Sequence, residues 1–293
     1  MRIGTRASAL ALWQARFVAD ALAARGVNSE LVEITTTGDR GQGLGDKARW
    51  TSELELALRD GRIDVAVHSA KDVPGEIAAG TVIAAIPQRE DASDVICGAA
   101  SLEVLDPGAR VGTSSMRRAA QIRALRDDLQ IVELRGNVDT RLRKLAEGQY
   151  EAIVLAAAGV KRLGRANEIT GELPEMVPAP GQGALILQTR ADDAATIAAV
   201  QPLTDAVAQA CVLVERAFAS TLNATCNTPL GASAMPAGEH TRLEAWIGLP
   251  DGSHWISDEL TGDPNEIVQR LAERMVSVGA RELLEAAEAM AAA

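Results

Sequence analysis

A chain of 293 residues, 47% hydrophobic and 24% charged, is long enough for two or three domains with their own cores and too apolar to be disordered. Its net charge of −11 argues against nucleic acid as a general partner, because phosphate binding calls for a basic surface. Three scattered cysteines (Cys97, Cys211, Cys226) and three histidines (His68, His240, His254), with no CxxC pair, support neither a disulfide framework nor a metal site. No apolar stretch is long enough to span a bilayer and the first residues lack a signal pattern, so a cytoplasmic protein without a membrane partner is expected.

In chain order, the first elements read as a strand at 2–6, a helix at 8–26 and a strand at 29–36. Ser8 is the expected N-cap and Gly26 the expected C′ residue, while Leu10, Trp13, Phe17, Ala21 and Ala24 recur at helical spacing. A glycine-rich loop (37–46) precedes a helix near 50–60 and a strand at 63–70, where the alternating Ile63, Val65 and Val67 point to a core. The same β-α-β-α-β grammar returns near residue 110, with strands at 110–113, 130–136 and 150–159 and helices at 116–128 and 137–148. Arg2-Ile3-Gly4-Thr5 matches Arg110-Val111-Gly112-Thr113, and each is soon followed by a serine that opens a helix. Two similar lobes follow, with parallel sheets and ligands held outside the carboxyl ends of the strands. Beyond residue 200 a helix (204–222), a loop, two strands joined by Pro250-Asp251-Gly252 and a terminal helix (264–290) form a smaller α+β unit.

Charge is unevenly spread. Between Arg110 and Lys144 lie nine Lys or Arg (110, 117, 118, 123, 126, 135, 141, 143, 144) against four acids (127, 128, 133, 139), a basic region in an acidic protein. Arg117 and Arg118 follow Gly112-Thr113-Ser114-Ser115 at a helix N-terminus, Arg135 and Arg141 flank the next, Arg6 and Ser8 stand at the equivalent place in the first lobe, and Arg162 follows a strand. Arginines so gathered without acidic partners repel one another, which predicts a cleft for a small ligand with several carboxylates. Structural salt bridges or a phosphate ligand are the competing readings. Asp72, at the end of the strand that carries His68-Ser69-Ala70-Lys71, is placed to guide protons and stabilise a developing cation, although an Asp beside a Lys at a strand end is common. Cys226 sits in a loop where a thiol can be reached, although most free cysteines are inert.

Taken together, the stretches RIGTRASALALWQA, ELELAL with DVAVHSAKDVP, VGTSSMRR, LRGNVDTRL, AGVKRLG, PAPGQGAL and CNTPLGA resemble the hydroxymethylbilane synthase (porphobilinogen deaminase) family, in the family's order and over nearly the whole chain. The resemblance implies an α/β fold: two lobes like type II periplasmic binding proteins (1–86 with 181–201, and 87–180) and a small C-terminal α+β domain (202–293). It implies a transferase of tetrapyrrole and heme biosynthesis, with a dipyrromethane cofactor joined to Cys226 by a thioether. Four porphobilinogens are added head to tail with loss of ammonia, and 1-hydroxymethylbilane is released by hydrolysis. The partners implied are porphobilinogen and the growing polypyrrole, acting on a cytoplasmic monomer.

Carried over by position, Asp72 and Lys71 are the catalytic pair. Arg117, Arg118, Thr113, Ser114 and Ser115, with Lys71 and Asp72, hold the cofactor. Arg6, Ser8, Gln14, Arg135, Arg141, Arg162, Gln182, Lys47 and Trp50 contact substrate. The chain departs from the family in its short loop at 41–52, where Trp50 replaces a phenylalanine and Ser52 a lysine, and at Ala224-Thr225, which stand where two glycines are usual. A paralogue with an altered lid and changed elongation, or a non-catalytic binder of organic anions, would share most of these features.

Overall fold

Each sequence repeat opens with an arginine that clasps an acid lying just ahead of a neighbouring strand. In the computed structural model, which describes residues 1–36, 51–224 and 228–292, the Arg2 amide donates to Asp64 Oδ2 at 2.7 Å and its Nη2 to Oδ1 at 2.6 Å. The Arg110 amide donates to Glu151 Oε2 at 2.6 Å and its Nη2 to Oε1 at 2.5 Å. Hydrogen bonding from these arginines brings the carboxyls of Asp64 and Glu151 down to about 2. The matching glycines are also structural, since a Cβ at Gly4 would collide with the Ile63 side chain and one at Gly112 would lie 2.8 Å from the Tyr150 ring.

In chain order the elements begin with β1 (Arg2–Thr5), α1 (Ala9–Ala23), β2 (Glu30–Glu33), α2 (Ser52–Arg59), β3 (Val65–Ser69), β4 (Thr81–Ala85) and β5 (Asp94–Cys97). They continue with β6 (Arg110–Gly112), α3 (Met116–Leu125), β7 (Gln130–Val132), α4 (Val138–Ala146), β8 (Ala152–Ala156), α5 (Ala157–Arg162), β9 (Gly171–Glu172) and β10 (Leu185–Arg190). The last are α6 (Ala194–Val200), α7 (Ala206–Thr221), β11 (Leu230–Ala237), β12 (His240–Gly248), β13 (Trp255–Gly262), α8 (Ile267–Ser277) and α9 (Ala280–Ala292). Two units emerge: Met1–Glu90 with Gly183–Val212, and Asp91–Gln182 with Leu213–Ala293.

The first unit holds a sheet of order β2-β1-β3-β10-β4, the second one of order β7-β6-β8-β5-β9. These are the same arrangement. The expectation of purely parallel sheets is corrected: β10 runs antiparallel to β3 and β4, and β5 antiparallel to β8 and β9. A parallel neighbour needs a crossover long enough for a helix, whereas β5 and β10 each begin a few residues after the chain has passed from one unit to the other. Ile63, Val65 and Val67 are buried as expected, with Val65 and Val67 packed against Ala15, Val18 and Leu22 of α1 and Ile63 against Leu54, Ala57 and Leu58 of α2.

Three sequence expectations shift. Ser8 does cap α1, accepting from the Ala11 amide, and Gly26 is left-handed (φ 77°), but Trp13 and Phe17 are exposed and stacked on each other at 5.7 Å. Ala11, Gln14, Ala15, Val18 and Leu22 form the buried stripe instead, a helical face offset from the one that carries Trp13 and Phe17. The long terminal helix divides into α8 and α9 at Gly279 (φ 100°), and β11, rich in alanine and glycine, adds an edge strand to the hairpin of β12 and β13. That third sheet packs on α3 through Ala120, Val177 and Trp246, and Arg123 Nη1 donates to the Pro250 carbonyl at 2.7 Å.

Gly231 marks the tightest approach of this packing, because a Cβ there would sit 2.5 Å from the Val177 carbonyl oxygen. Gly231→Ala should therefore lower unfolding stability by about 1–3 kcal/mol, read from a urea titration.

Candidate functional site

In the second unit the parallel strands β6, β7 and β8 lie side by side, so the segments leaving their carboxyl ends are neighbours. Ser115 caps α3 by accepting from the Arg118 amide, and the Ser115 amide donates to Thr113 Oγ1 at 3.1 Å. Asn137 caps α4 in the same way, accepting from Thr140. Arg141 reaches back across the gap between the two helix heads, donating from Nε to the Gly136 carbonyl at 2.7 Å and from Nη2 to Ser114 Oγ at 3.4 Å. Thr113, Ser114, Ser115 and Arg141 thus surround one anion-attracting helix terminus.

Arg117 and Arg118 point inward from the first turn of α3, each only 5% exposed. Their partner is Asp94, the first residue of β5, whose side chain has no exposure to water. Arg117 Nη1 donates to Asp94 Oδ2 at 2.6 Å and to the Val177 carbonyl at 2.7 Å. Arg118 Nε donates to Asp94 Oδ1 at 2.9 Å and its Nη1 to the Val154 carbonyl at 3.2 Å. Burial would raise the Asp94 carboxyl, but the charges of Arg117 and Arg118 outweigh it and hold the group far below the usual range. Burial lowers Arg118, against the pull of Asp94. These arginines therefore do not lack an acid, and the repulsion argued from the local count of charges is relieved by a residue outside the counted stretch. Two guanidiniums against one carboxylate still leave a surplus positive charge, and Arg117 Nε, fully buried, has no hydrogen-bond partner among the described residues.

Gln182, with no exposure, joins the same group: its Nε2 donates to Asp94 Oδ1 at 2.9 Å and to the Ala92 carbonyl at 2.7 Å, and its Oε1 accepts from Arg118 Nη2 at 3.4 Å. Arg162 is buried at the end of α5. Arg135, by contrast, is exposed and bonds to Glu133 at 2.6 Å, and Arg110, Arg126 and Arg143 each pair with an acid. Much of the basic stretch is thus a surface of ion pairs.

In the first unit the carboxyl ends of β1 and β3 are likewise adjacent, with Ile3 beside Val65 and Gly4 beside Ala66. Arg6 and Ser8 leave the first, and Ser69, Lys71 and Asp72 the second, the last two in a tight turn over Ala70–Asp72. Gln14, buried on α1, donates from Nε2 to Ser69 Oγ at 2.9 Å. His68 is buried on the opposite face of β3; burial pushes its ring down to about 4, and although the charges of Glu55 and Asp72 favour the proton, the charge of Arg6 opposes it. Lys47, Trp50 and Cys226 lie outside the described residues.

Asp94 and His68 are the residues that sequence reasoning missed. Asp94 offered one signal, a buried-strand pattern (DVIC) opening on an acid, which is costly unless cations meet it.

A family model described as porphobilinogen deaminase, dipyromethane cofactor binding domain, matches residues 1–198, and a second, porphobilinogen deaminase, C-terminal domain, matches residues 209–277. The chain is 44% identical over 298 residues to a porphobilinogen deaminase of Roseiflexus castenholzii, covering 97% of this chain and 98% of that one. A porphobilinogen deaminase of Thiobacillus denitrificans is 43% identical over 302 residues, covering 98% of each. Among solved structures, a periplasmic substrate-binding protein of an ABC transporter from Coxiella burnetii aligns with TM-score 0.44 and 14% identity, over 71% of this chain and 94% of that one.

The buried His68 carries a pH consequence. Its folded value is depressed from 6.5 to about 4, so on acidification the unfolded chain takes up the proton first and the folded form loses stability progressively between those limits. His68→Gln should flatten the fall in urea-unfolding stability across that window, above the range in which the depressed Asp64 and Asp94 titrate.

Proposed function

The chain belongs to the porphobilinogen deaminase family, and we propose that it is a hydroxymethylbilane synthase, condensing four porphobilinogens head to tail on a dipyrromethane primer and releasing 1-hydroxymethylbilane by hydrolysis. The observation that carries the reading is the cluster of cationic and hydroxyl donors at the head of α3, inside the stretch matched by the cofactor-binding family model.

The donor set suits a group that bears several carboxylates. After Asp94 is satisfied the arginine pair keeps a surplus charge and an unengaged Arg117 Nε, while Ser114, Ser115, Thr113 and Arg141 supply further donors at the same helix terminus. When bound through the Cys226 thiol, the dipyrromethane would supply the free terminal pyrrole carbon for the first unit, each later unit being joined to the free end of the growing chain.

The chain's own residues carry the rest. Arg117, Arg118 and Arg141 hold acetate and propionate side chains, with Thr113, Ser114 and Ser115 fixing their orientation. Asp72, held beside Lys71 at the end of β3, stabilises the positive charge that develops on the porphobilinogen methylene as its carbon–nitrogen bond breaks and ammonia leaves, and takes the proton lost when the new carbon–carbon bond forms. Arg6, Ser8 and Gln14 bind substrate at the adjacent strand end, and Arg135, Arg162, Gln182, Lys47 and Trp50 complete the contacts. The division into 1–86 with 181–201, 87–180 and 202–293 is kept as three domains, the third bearing the cysteine loop. The enzyme acts as a cytoplasmic monomer without nucleic acid or membrane partners; among the described residues no single helix is long and apolar enough to cross a membrane.

Expression in cells that make porphobilinogen should yield a chain whose intact mass exceeds its sequence mass by one dipyrromethane, with the addition absent in Cys226→Ser. An unmodified wild-type chain would refute the reading. Asp72→Asn carrying the adduct should release ammonia from porphobilinogen at least about a hundredfold more slowly.

A further inference from the structure

The segment that carries Gln182 closes a turn of its own, the Gln182 amide donating to the Ala179 carbonyl at 2.9 Å, and is held from outside as well. Gly181 and Gly183 both adopt left-handed backbone, with φ of 75° and 85°, and Gln182 between them is fully buried. Besides the bonds of Gln182 to Asp94, Ala92 and Arg118, the outside hold comes from Glu215, on α7 with no exposure to water. Its Oε2 accepts from the Gly181 amide at 2.7 Å and its Oε1 from the Ala234 amide of β11 at 2.8 Å. Hydrogen bonds of this length, shielded from solvent, hold a backbone amide firmly.

The position of Glu215 in the chain gives these bonds their meaning. α7 leads into the loop of Cys226 and β11 leads out of it, so one carboxylate ties both flanks of that loop together and to the segment of Gln182. Neighbouring contacts run the same way. The Ala232 amide donates to the Pro178 carbonyl at 2.9 Å, and the Val177 carbonyl accepts from both Arg117 Nη1 at 2.7 Å and Gln121 Nε2 at 2.9 Å. From the flanks of the cysteine loop to the buried arginines the path is therefore continuous: Glu215 to Gly181, Gly181 to Gln182, and Gln182 to Asp94 and Arg118.

We infer that Glu215 is a positioning residue, which fixes the flanks of the Cys226 loop against the Gln182–Asp94–Arg118 cluster. The inference rests on the function proposed above. The described hydrogen bonds of Glu215 go to backbone amides on the two flanks; they set where those flanks are anchored relative to the guanidiniums that receive the carboxylates, and a misplacement of about 1 Å at such a site costs up to about a hundredfold in rate.

Glu215→Gln is nearly isosteric but has one acceptor oxygen, so its amide nitrogen must face either the Gly181 or the Ala234 N–H. Full-length wild type, Glu215→Gln and Glu215→Asp would be compared by intact mass for the fraction carrying the dipyrromethane, by hydrogen exchange over 178–182 and 230–236, and by kcat and KM. The expected result is a folded Glu215→Gln chain with faster exchange in both segments, a several-fold smaller loaded fraction, and, per loaded chain, a kcat lower by about tenfold or more with KM little changed; Glu215→Asp should recover part of each. Should Glu215→Gln fail to fold, Ala234→Pro carries the test, because it deletes one donor from an edge strand and leaves the carboxylate in place. Variants as fully loaded and as fast as wild type would overturn the role of Glu215 alone. A wild-type chain without the adduct would overturn the proposed function itself.

Discussion

A carboxylate shut away from water has to be matched by positive charge or lose its own, and at Asp94 this requirement organises the whole second unit. Two guanidiniums, a glutamine amide and the start of β5 meet on its two oxygens, so the first turn of α3, the antiparallel strand β5 and the segment before β10 are fixed to one another through a few atoms. Removing Asp94 would leave two buried guanidiniums without a carboxylate. Asp94 neutralises one of two cations and uses donors from both, which leaves the head of α3 positively charged and prepared for a second anion. Structural pairing and ligand binding are usually set against each other as explanations for buried arginines; under the function proposed here the first would prepare the second.

The two lobes show how one local solution is used twice with different chemistry added. Both sheets share a strand order, both begin with an arginine clasping an acid, and both place a capped helix after the first strand. They diverge at the fourth strand. In the second unit that strand brings in the charge of Asp94; in the first, β10 brings Gln188, whose Nε2 bonds to Glu55 and Thr81 near the buried His68. One lobe therefore carries a buried cluster of ion pairs and the other a buried His68 ring with Asp72 half-buried at the end of the same strand.

The sequence made local features legible. Repeated RIGT and RVGT stretches, the serine caps at Ser8 and Ser115 and the alternation through Val67 depend on neighbours in the chain, and the structure repeats them. Features that depend on distant partners were hidden: Asp94 lies outside the stretch in which charges were counted, and no spacing rule links it to Arg117. The same holds for Gly279, where a glycine inside a helical pattern can be tolerated or can end the helix, and for Trp13 and Phe17, whose apolar character implied burial although they lie off the face that α1 turns to the sheet. Arg135 reads as a ligand contact by position, yet its described partner is the adjacent Glu133. Asp72, Cys226 and the arginines stand out by charge and by their places at strand ends and in a loop, and the resemblance supplies their expected roles, because catalytic chemistry leaves little trace in hydrophobic pattern.

The state of the Asp94 carboxyl tests this arrangement most directly, and carbon-detected nuclear magnetic resonance of a selectively labelled chain can follow it from neutral pH to the acid limit of folding. With Arg117 and Arg118 holding it, the signal should stay that of a carboxylate as the exposed acids titrate around it. A protonation step at or above the ordinary value of 3.8 in the folded chain would contradict a compensated charge at Asp94, and with it the origin assigned to the positive head of α3.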